Sequence, residues 1–142
     1  MKISEEFIKN IIKEYKYWTV LAHSNQGYLG RCVVWCKREA AEELTEATDK
    51  ERQELFLILA ELKKALEQAF KPDVFNYAFL GNKTKHLHCH VVPRYKEPRE
   101  FAGQKFEDKK WGHNFETDWS ISTPQDVVDQ VKAKILEFLK KD

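Results

Sequence analysis

The chain lacks a surplus of charge of either sign: 24 Lys and Arg stand against 23 Asp and Glu, a formal net charge of +1. That balance excludes a general electrostatic pull toward nucleic acid polymers or an anionic membrane, so any anion must be recognised locally. It also lacks any stretch near the roughly 18–20 apolar residues needed to span a bilayer. Met1-Lys2-Ile3-Ser4-Glu5-Glu6 has no apolar run behind its charge, and a cytoplasmic location is the expectation. Cysteines number three, an odd count that suits a reducing compartment. Cys32 and Cys36 would lie on one strand face about 13 Å apart, beyond disulfide reach, and read as small buried apolar residues. There is no His-Glu-x-x-His and no Cys-x-x-Cys. No repeat or composition shift divides the 142 residues, so one domain over 1–142 is expected.

What the chain does have is Lys85-His86-Leu87-His88-Cys89-His90-Val91-Val92-Pro93-Arg94, which holds three of its five histidines at every second position. In an extended strand, His86, His88 and His90 share one face, and Leu87, Cys89 and Val91 turn to the other. Such a face suits metal ligation, or nucleophilic and acid–base work on a bound phosphate. His86 and His90 would be roughly 13 Å apart, too far to converge on one ion, and no third ligand follows at Val92, Pro93 or Arg94. A metal site would therefore rest on the His86/His88 pair plus a ligand from elsewhere. Directly upstream, Gly81-Asn82-Lys83-Thr84-Lys85 combines a turn, backbone N–H groups, an amide, a hydroxyl and two ammonium groups. Next to the histidines this reads as an anion cradle.

The segment Phe75-Asn76-Tyr77-Ala78-Phe79-Leu80-Gly81-Asn82, followed by His86-Leu87-His88-Cys89-His90-Val91-Val92, resembles the histidine-triad (HIT) family of nucleotide hydrolases and transferases. That family's signature is His-φ-His-φ-His-φ-φ with φ apolar, and all seven positions match with Cys89 counted as apolar. The resemblance implies an α+β fold with a five-stranded antiparallel sheet, and a homodimer. It implies that His88 is the nucleophile toward a nucleotide α-phosphate, forming a nucleotidyl-histidine that water then hydrolyses. By the same resemblance His90 contacts the phosphate and assists the leaving group's proton, His86 orients the nucleophile, and Asn76, Gly81, Asn82, Lys83 and Thr84 lie at the phosphate. An unperturbed imidazole is largely neutral at pH 7 and nucleophilic once its lone pair is aimed, and a neighbouring imidazolium would stabilise phosphate charge.

Two positions depart from the family pattern. Arg31 follows Gly30 where many relatives place a histidine, and His23 falls where relatives often have an acidic or amide residue touching the ribose. Either would alter nucleotide preference, or be no more than a solvated arginine and a strand-end histidine. The expected substrates are a dinucleoside polyphosphate such as diadenosine tetraphosphate, or a nucleoside phosphoramidate, with adenine as the expected base. The covalent route requires no cofactor, although magnesium would accompany a polyphosphate. Alternatives are a nucleotidyltransferase or phosphorylase of the same family, a nucleotide-sensing binding module, and a metal-dependent hydrolase built on His86 and His88.

The remaining pattern orders the elements. Ser4 is placed to cap a helix running to about Tyr15, with Phe7, Ile8, Ile11 and Ile12 as its apolar stripe. Tyr17–His23 and Tyr28–Lys37 read as strands. Thr48 and Glu51 form a capping box that opens a helix to about Phe70. Val74–Leu80 and His86–Tyr95 should pair antiparallel. Thr123 before Pro124 should cap a last helix, spanning 123–142 with its tail. Between them, 96–122 is aromatic-rich and aperiodic, open to three readings: a lid over the nucleotide, dimer packing, or a loop tucked onto the core. Its His113 reads as ordinary surface.

Overall fold

The computed structural model describes residues 1–141. Its elements run α1 (Glu5–Ile8), β1 (Ile11–Glu14), β2 (Trp18–Ala22), β3 (Cys32–Cys36), α2 (Asp49–Phe70), β4 (Val74–Ala78), β5 (His88–Arg94), β6 (Arg99–Phe101), β7 (Gln104–Phe106) and α3 (Gln125–Phe138). The fold is α+β. Strands β1-β2-β3-β5-β4 form one five-stranded sheet in which every neighbour is antiparallel.

Strand alternation gives this sheet two unlike faces. On one, Trp18, Val20, Cys32, Val34, Cys36, Cys89 and Val91 join the buried core with Leu55, Ile58, Leu62 and Leu66 of α2 and Val127, Val131 and Ile135 of α3. Each large aliphatic side chain fully buried there contributes about 1.5–3 kcal/mol. All three cysteines are free and buried. The opposite face follows from register: Val33 pairs with His90, Trp35 with His88, and Asn76 with Val92. The helices cover the first face and leave the second to the histidines.

Helix α2 begins as its sequence indicates. Thr48 accepts from the Glu51 N–H while the Glu51 carboxylate accepts from the Thr48 N–H, and Lys71 closes the helix in the left-handed region at φ 53°. Four other expectations need correction. The N-terminal helix stops at Ile8, and Ser4 makes no side-chain cap. Ile11 and Ile12 instead enter edge strand β1, which suits β-branched side chains. Residues 28–31 form a turn rather than the start of a strand, with the Arg31 N–H bonded to the Tyr28 carbonyl at 3.1 Å. Gly30 makes that turn at φ 85°, where a Cβ would meet Leu66 and Phe70 at 3.0 Å. His86 lies ahead of β5 rather than within it. Thr123 does not cap α3, because its hydroxyl accepts from the Gln26 N–H at 2.9 Å. Residue 142, the end of the expected C-terminal helix segment, lies outside the described residues.

The stretch 96–122 is not wholly irregular. It opens with the β6–β7 hairpin, whose two turn residues Ala102 and Gly103 both have positive φ. The rest is a strap that crosses to the β2–β3 loop. Asp108 pairs with Arg94, the Glu116 N–H donates to the Tyr28 hydroxyl at 2.9 Å, and the Asp118 carbonyl accepts from Asn25 at 2.9 Å.

Candidate functional site

The site is a row of aromatic rings across the open sheet face. At one end the His86 ring stacks on Trp35, with centroids 4.1 Å apart and planes 18° from parallel. His86 is fully buried, and its Nε2 donates to the Cys36 carbonyl at 2.7 Å while its Nδ1 has no partner. Burial, the largest influence, lowers its affinity for a proton below that of an ordinary imidazole.

His88 comes next, its ring 5.6 Å from Trp35 and 4.9 Å from His90. Its Nδ1 lies 2.5 Å from the His86 carbonyl oxygen. A carbonyl only accepts, so Nδ1 carries the hydrogen and Nε2 holds the free lone pair.

The other end of the row is cationic. Arg31 is only 3% exposed. Its Nη1 donates to Thr117 Oγ1 at 2.7 Å, its Nη2 lies 3.3 Å from His90 Nδ1, and its Nε is buried without a partner. The Phe115 ring covers the guanidinium at 5.3 Å. Burial pulls Arg31 down to about 10, which leaves it a cation at pH 7. Burial first, then Arg31, then His88 push His90 down to about 3. His23, 6.0 Å from His90, is pushed down to about 3 by burial, then Arg31, then His90. Its Nδ1 accepts from the Asn25 N–H at 3.0 Å. Both imidazoles are thus neutral at pH 7, and the charge expected from an imidazolium sits on Arg31 instead.

The structure brings five of the sequence-nominated residues together: His86, His88, His90, His23 and Arg31. Arg31 is not the solvated side chain that was one reading of it. Gly81–Thr84 form a turn immediately before His86, with Gly81 at φ 108° and the Thr84 carbonyl accepting the His86 N–H at 2.9 Å. Asn82 and Lys83 are exposed there, Lys83 with its ammonium 5.7 Å from the Trp119 ring. Asn76 lies on the histidine face, but its Oδ1 accepts from Arg94 at 2.8 Å. His113 is exposed and touches this cluster through its carbonyl, which accepts from Arg94 at 2.9 Å. A depression of about 480 Å³, lined by Phe75, Asn76, Tyr77, Leu80, Asn114 and Phe115, opens between β4 and the strap.

Sequence reasoning missed Trp35, Thr117 and the Cys36 carbonyl, and offered Phe115 only as one of the aromatics of 96–122. Trp35 was recoverable only from the β3–β5 register. Phe115 and Thr117 come from a segment without periodicity and carry no local signal. In the His86/His88 pair, His86 Nε2 and His88 Nδ1 both donate to backbone carbonyls, which leaves His86 Nδ1 and His88 Nε2 as the nitrogens open to a ligand. Among the described residues no group of three or more His, Cys, Asp or Glu is placed to hold a metal. None of the described helices is long and apolar enough to cross a membrane.

The sequence profile described as the HIT domain matches residues 4–97. No curated protein sequence matches the chain. Among solved structures, a histidine triad protein of Bradyrhizobium japonicum superposes with a TM-score of 0.73 at 17% identity, covering 98% of each chain. A histidine triad protein of Marinobacter aquaeolei VT8 gives 0.70 at 22% identity, again covering 98% of each. A zinc-bound histidine triad family protein of Mycobacterium smegmatis gives 0.60 at 18% identity, covering 89% of this chain and 84% of its own. At these identities the likeness is one of fold.

Proposed function

Because this chain belongs to the HIT domain family, we propose that it is a nucleotide hydrolase acting at the α-phosphate through a covalent nucleotidyl-histidine. The observation that carries this reading is the 2.5 Å contact between His88 Nδ1 and the His86 carbonyl, which leaves the Nε2 lone pair free. Nε2 attacks phosphorus, the bond to the leaving group breaks, and a P–N bond forms. The ring then carries a positive charge that the His86 carbonyl stabilises through Nδ1–H. Water next attacks the same phosphorus, the P–N bond breaks, and His88 returns as a neutral imidazole with one proton released to solvent.

The other residues support these two steps. Trp35 and the Cys36 carbonyl hold His86 rigid, so the carbonyl that aims His88 cannot swing away. Gly81, Asn82, Lys83 and Thr84 offer backbone N–H, amide, ammonium and hydroxyl groups to the non-bridging oxygens. Asn76 holds the Arg94 cluster beside the phosphate, and His23 lies toward the ribose. Magnesium would arrive with a polyphosphate substrate as its counter-ion. The same reading includes adenine nucleotides as substrates and a cytoplasmic homodimer. Exposed Val74 and Tyr77 on edge strand β4, with exposed Phe56 and Leu57 on α2, are consistent with a second copy.

The test is release of nucleoside monophosphate from diadenosine tetraphosphate and adenosine phosphoramidate, in magnesium and in chelator, for wild type and His88→Asn. Turnover of either substrate by wild type, falling by about 10⁴ or more in the variant, is the expected result. Equal rates in the two proteins would remove His88 as nucleophile and leave a binding module or, where the chelator abolishes turnover, metal-dependent chemistry.

A further inference from the structure

Arg31 is a buried cation without an anion. Among the described residues it has no carboxylate partner, and its neighbours are a hydroxyl, an aromatic face and a neutral imidazole. A guanidinium has five N–H donors and no acceptor. In the 3.3 Å contact with His90, the nitrogen Nδ1 is therefore the acceptor, and the ring's only hydrogen lies on Nε2. Protonating Nδ1 would aim an N–H at the guanidinium and bury two like charges together. The titratable and charged groups facing His90 are Arg31 just before β3, His23 just after β2 and His88 on β5. From β4 it faces Ala78, and none of these neighbours is acidic.

We infer that Arg31 is a positioning residue that fixes His90 as a neutral Nε2–H donor, and so restricts the leaving group to one that departs as an anion without receiving a proton. A phosphate or polyphosphate oxygen meets that condition and an amine does not. This rests on the covalent reading above. When His88 Nε2 forms the P–N bond, the P–O bond breaks and its electron pair leaves on oxygen. A phosphate oxygen holds that pair readily at pH 7, since its second ionisation lies near 6. An amine nitrogen would have to collect a proton as the P–N bond to it breaks, and His90 has only a neutral N–H, far too weak an acid to supply one. His90 Nε2–H instead donates a hydrogen bond to the developing charge.

Two measurements decide it. Nitrogen-15 NMR of histidine-labelled wild-type protein reads the ring directly: His90 should be the neutral Nε2–H tautomer with no titration between pH 7 and 5. An Nδ1–H tautomer or an imidazolium in that range overturns the inference whether or not any substrate is turned over. In Arg31→Gln, His90 should begin to take up a proton over the same range, whereas Arg31→Lys should keep it neutral. In kinetics, wild-type kcat/KM for diadenosine tetraphosphate should exceed that for adenosine phosphoramidate by about a hundredfold, the low end of what proton transfer normally contributes. Arg31→Gln should narrow that ratio at least tenfold, through a gain in phosphoramidate kcat below pH 6.5. Wild type that cleaves both substrates equally, with His88→Asn inactive, would overturn the leaving-group restriction and leave the hydrolase reading standing. Wild type that cleaves neither would count against the hydrolase reading, while the NMR result still decides the role of Arg31.

Discussion

Arg94, on β5, and Arg31, in the turn that leads into β3, are 4% and 3% exposed, yet their surroundings differ. Arg94 is saturated. Asp108 accepts from its Nε at 2.7 Å and its Nη2 at 3.0 Å, Asn76 and the His113 and Lys110 carbonyls accept further bonds, and its guanidinium lies 5.2 Å from the Tyr28 ring. Arg31 has one hydroxyl, one ring nitrogen and an orphaned Nε. A paired, fully bonded charge anchors a chain segment, whereas an unpaired one raises the energy of the empty site and is kept for what it does to a neighbour or a ligand. One arginine fastens the strap; the other sits against the histidines with donors to spare.

The sharpest way to break this contrast is Asp108→Asn, which leaves Arg94 buried beside a neutral amide. It should cost about 3–5 kcal/mol in denaturant unfolding, since the surviving charge loses its one counter-charge among the described residues. A loss under about 1 kcal/mol would mean that Arg94 is no better partnered than Arg31.

The second test is acid. His23 and His90 titrate near 3 when folded and near 6.5 when unfolded. Between those values the unfolded chain binds the protons and the folded chain does not, so their stabilising effect is complete above 6.5 and is lost as pH falls. Each histidine should steepen the stability–pH curve by about 1.4 kcal/mol per pH unit. Arg31→Met should flatten part of that slope, because Arg31 is the second cause of both shifts after burial. Asp108 acts lower on the scale. Burial raises its pKa, but bonds from Arg94 and the Tyr95 and Lys110 N–H groups hold it below the usual carboxylate range, so its contribution fades only as pH drops through that range. A stability curve that is flat between pH 6.5 and 4 would refute the neutral, cation-flanked pair.

The smallest effect is expected at neutral pH, where Arg31→Met should change unfolding free energy by no more than about 1 kcal/mol. Activity should change all the same. A loss as large as that of Asp108→Asn would make Arg31 a second anchor and erase the distinction.

Legibility in the sequence followed the range of the interactions. Helix α2 was readable because its capping box spans Thr48 to Glu51, and the β4–β5 hairpin because alternation of imidazole and apolar residues fixes which side faces in. Ile11 and Ile12 misled because they satisfy a helical stripe with Phe7 and Ile8 and an edge strand equally well, and only the place beside β2 decides. The β6–β7 turn was hidden because Ala102 carries a Cβ yet takes positive φ, a position that glycine or asparagine normally signals. His86, His88 and His90 were visible as a cluster. Arg31 and His23 stood out only as departures from the family pattern, and nothing local announced that Arg31 would touch His90 or that Thr117 would reach it from the strap.

That strap sets an order of assembly. Its ties to the β2–β3 loop join residues 86 to 93 positions apart. Contacts of such separation must bear their loop-closure entropy before they return any stabilisation, so they form after the sheet exists to receive them. On that physical ground, Arg31 is expected to acquire its hydroxyl partner and its aromatic cover only after β3 and β5 have paired. Native-state hydrogen exchange should find amide opening in 114–118 at lower free energy than in β3 or β5.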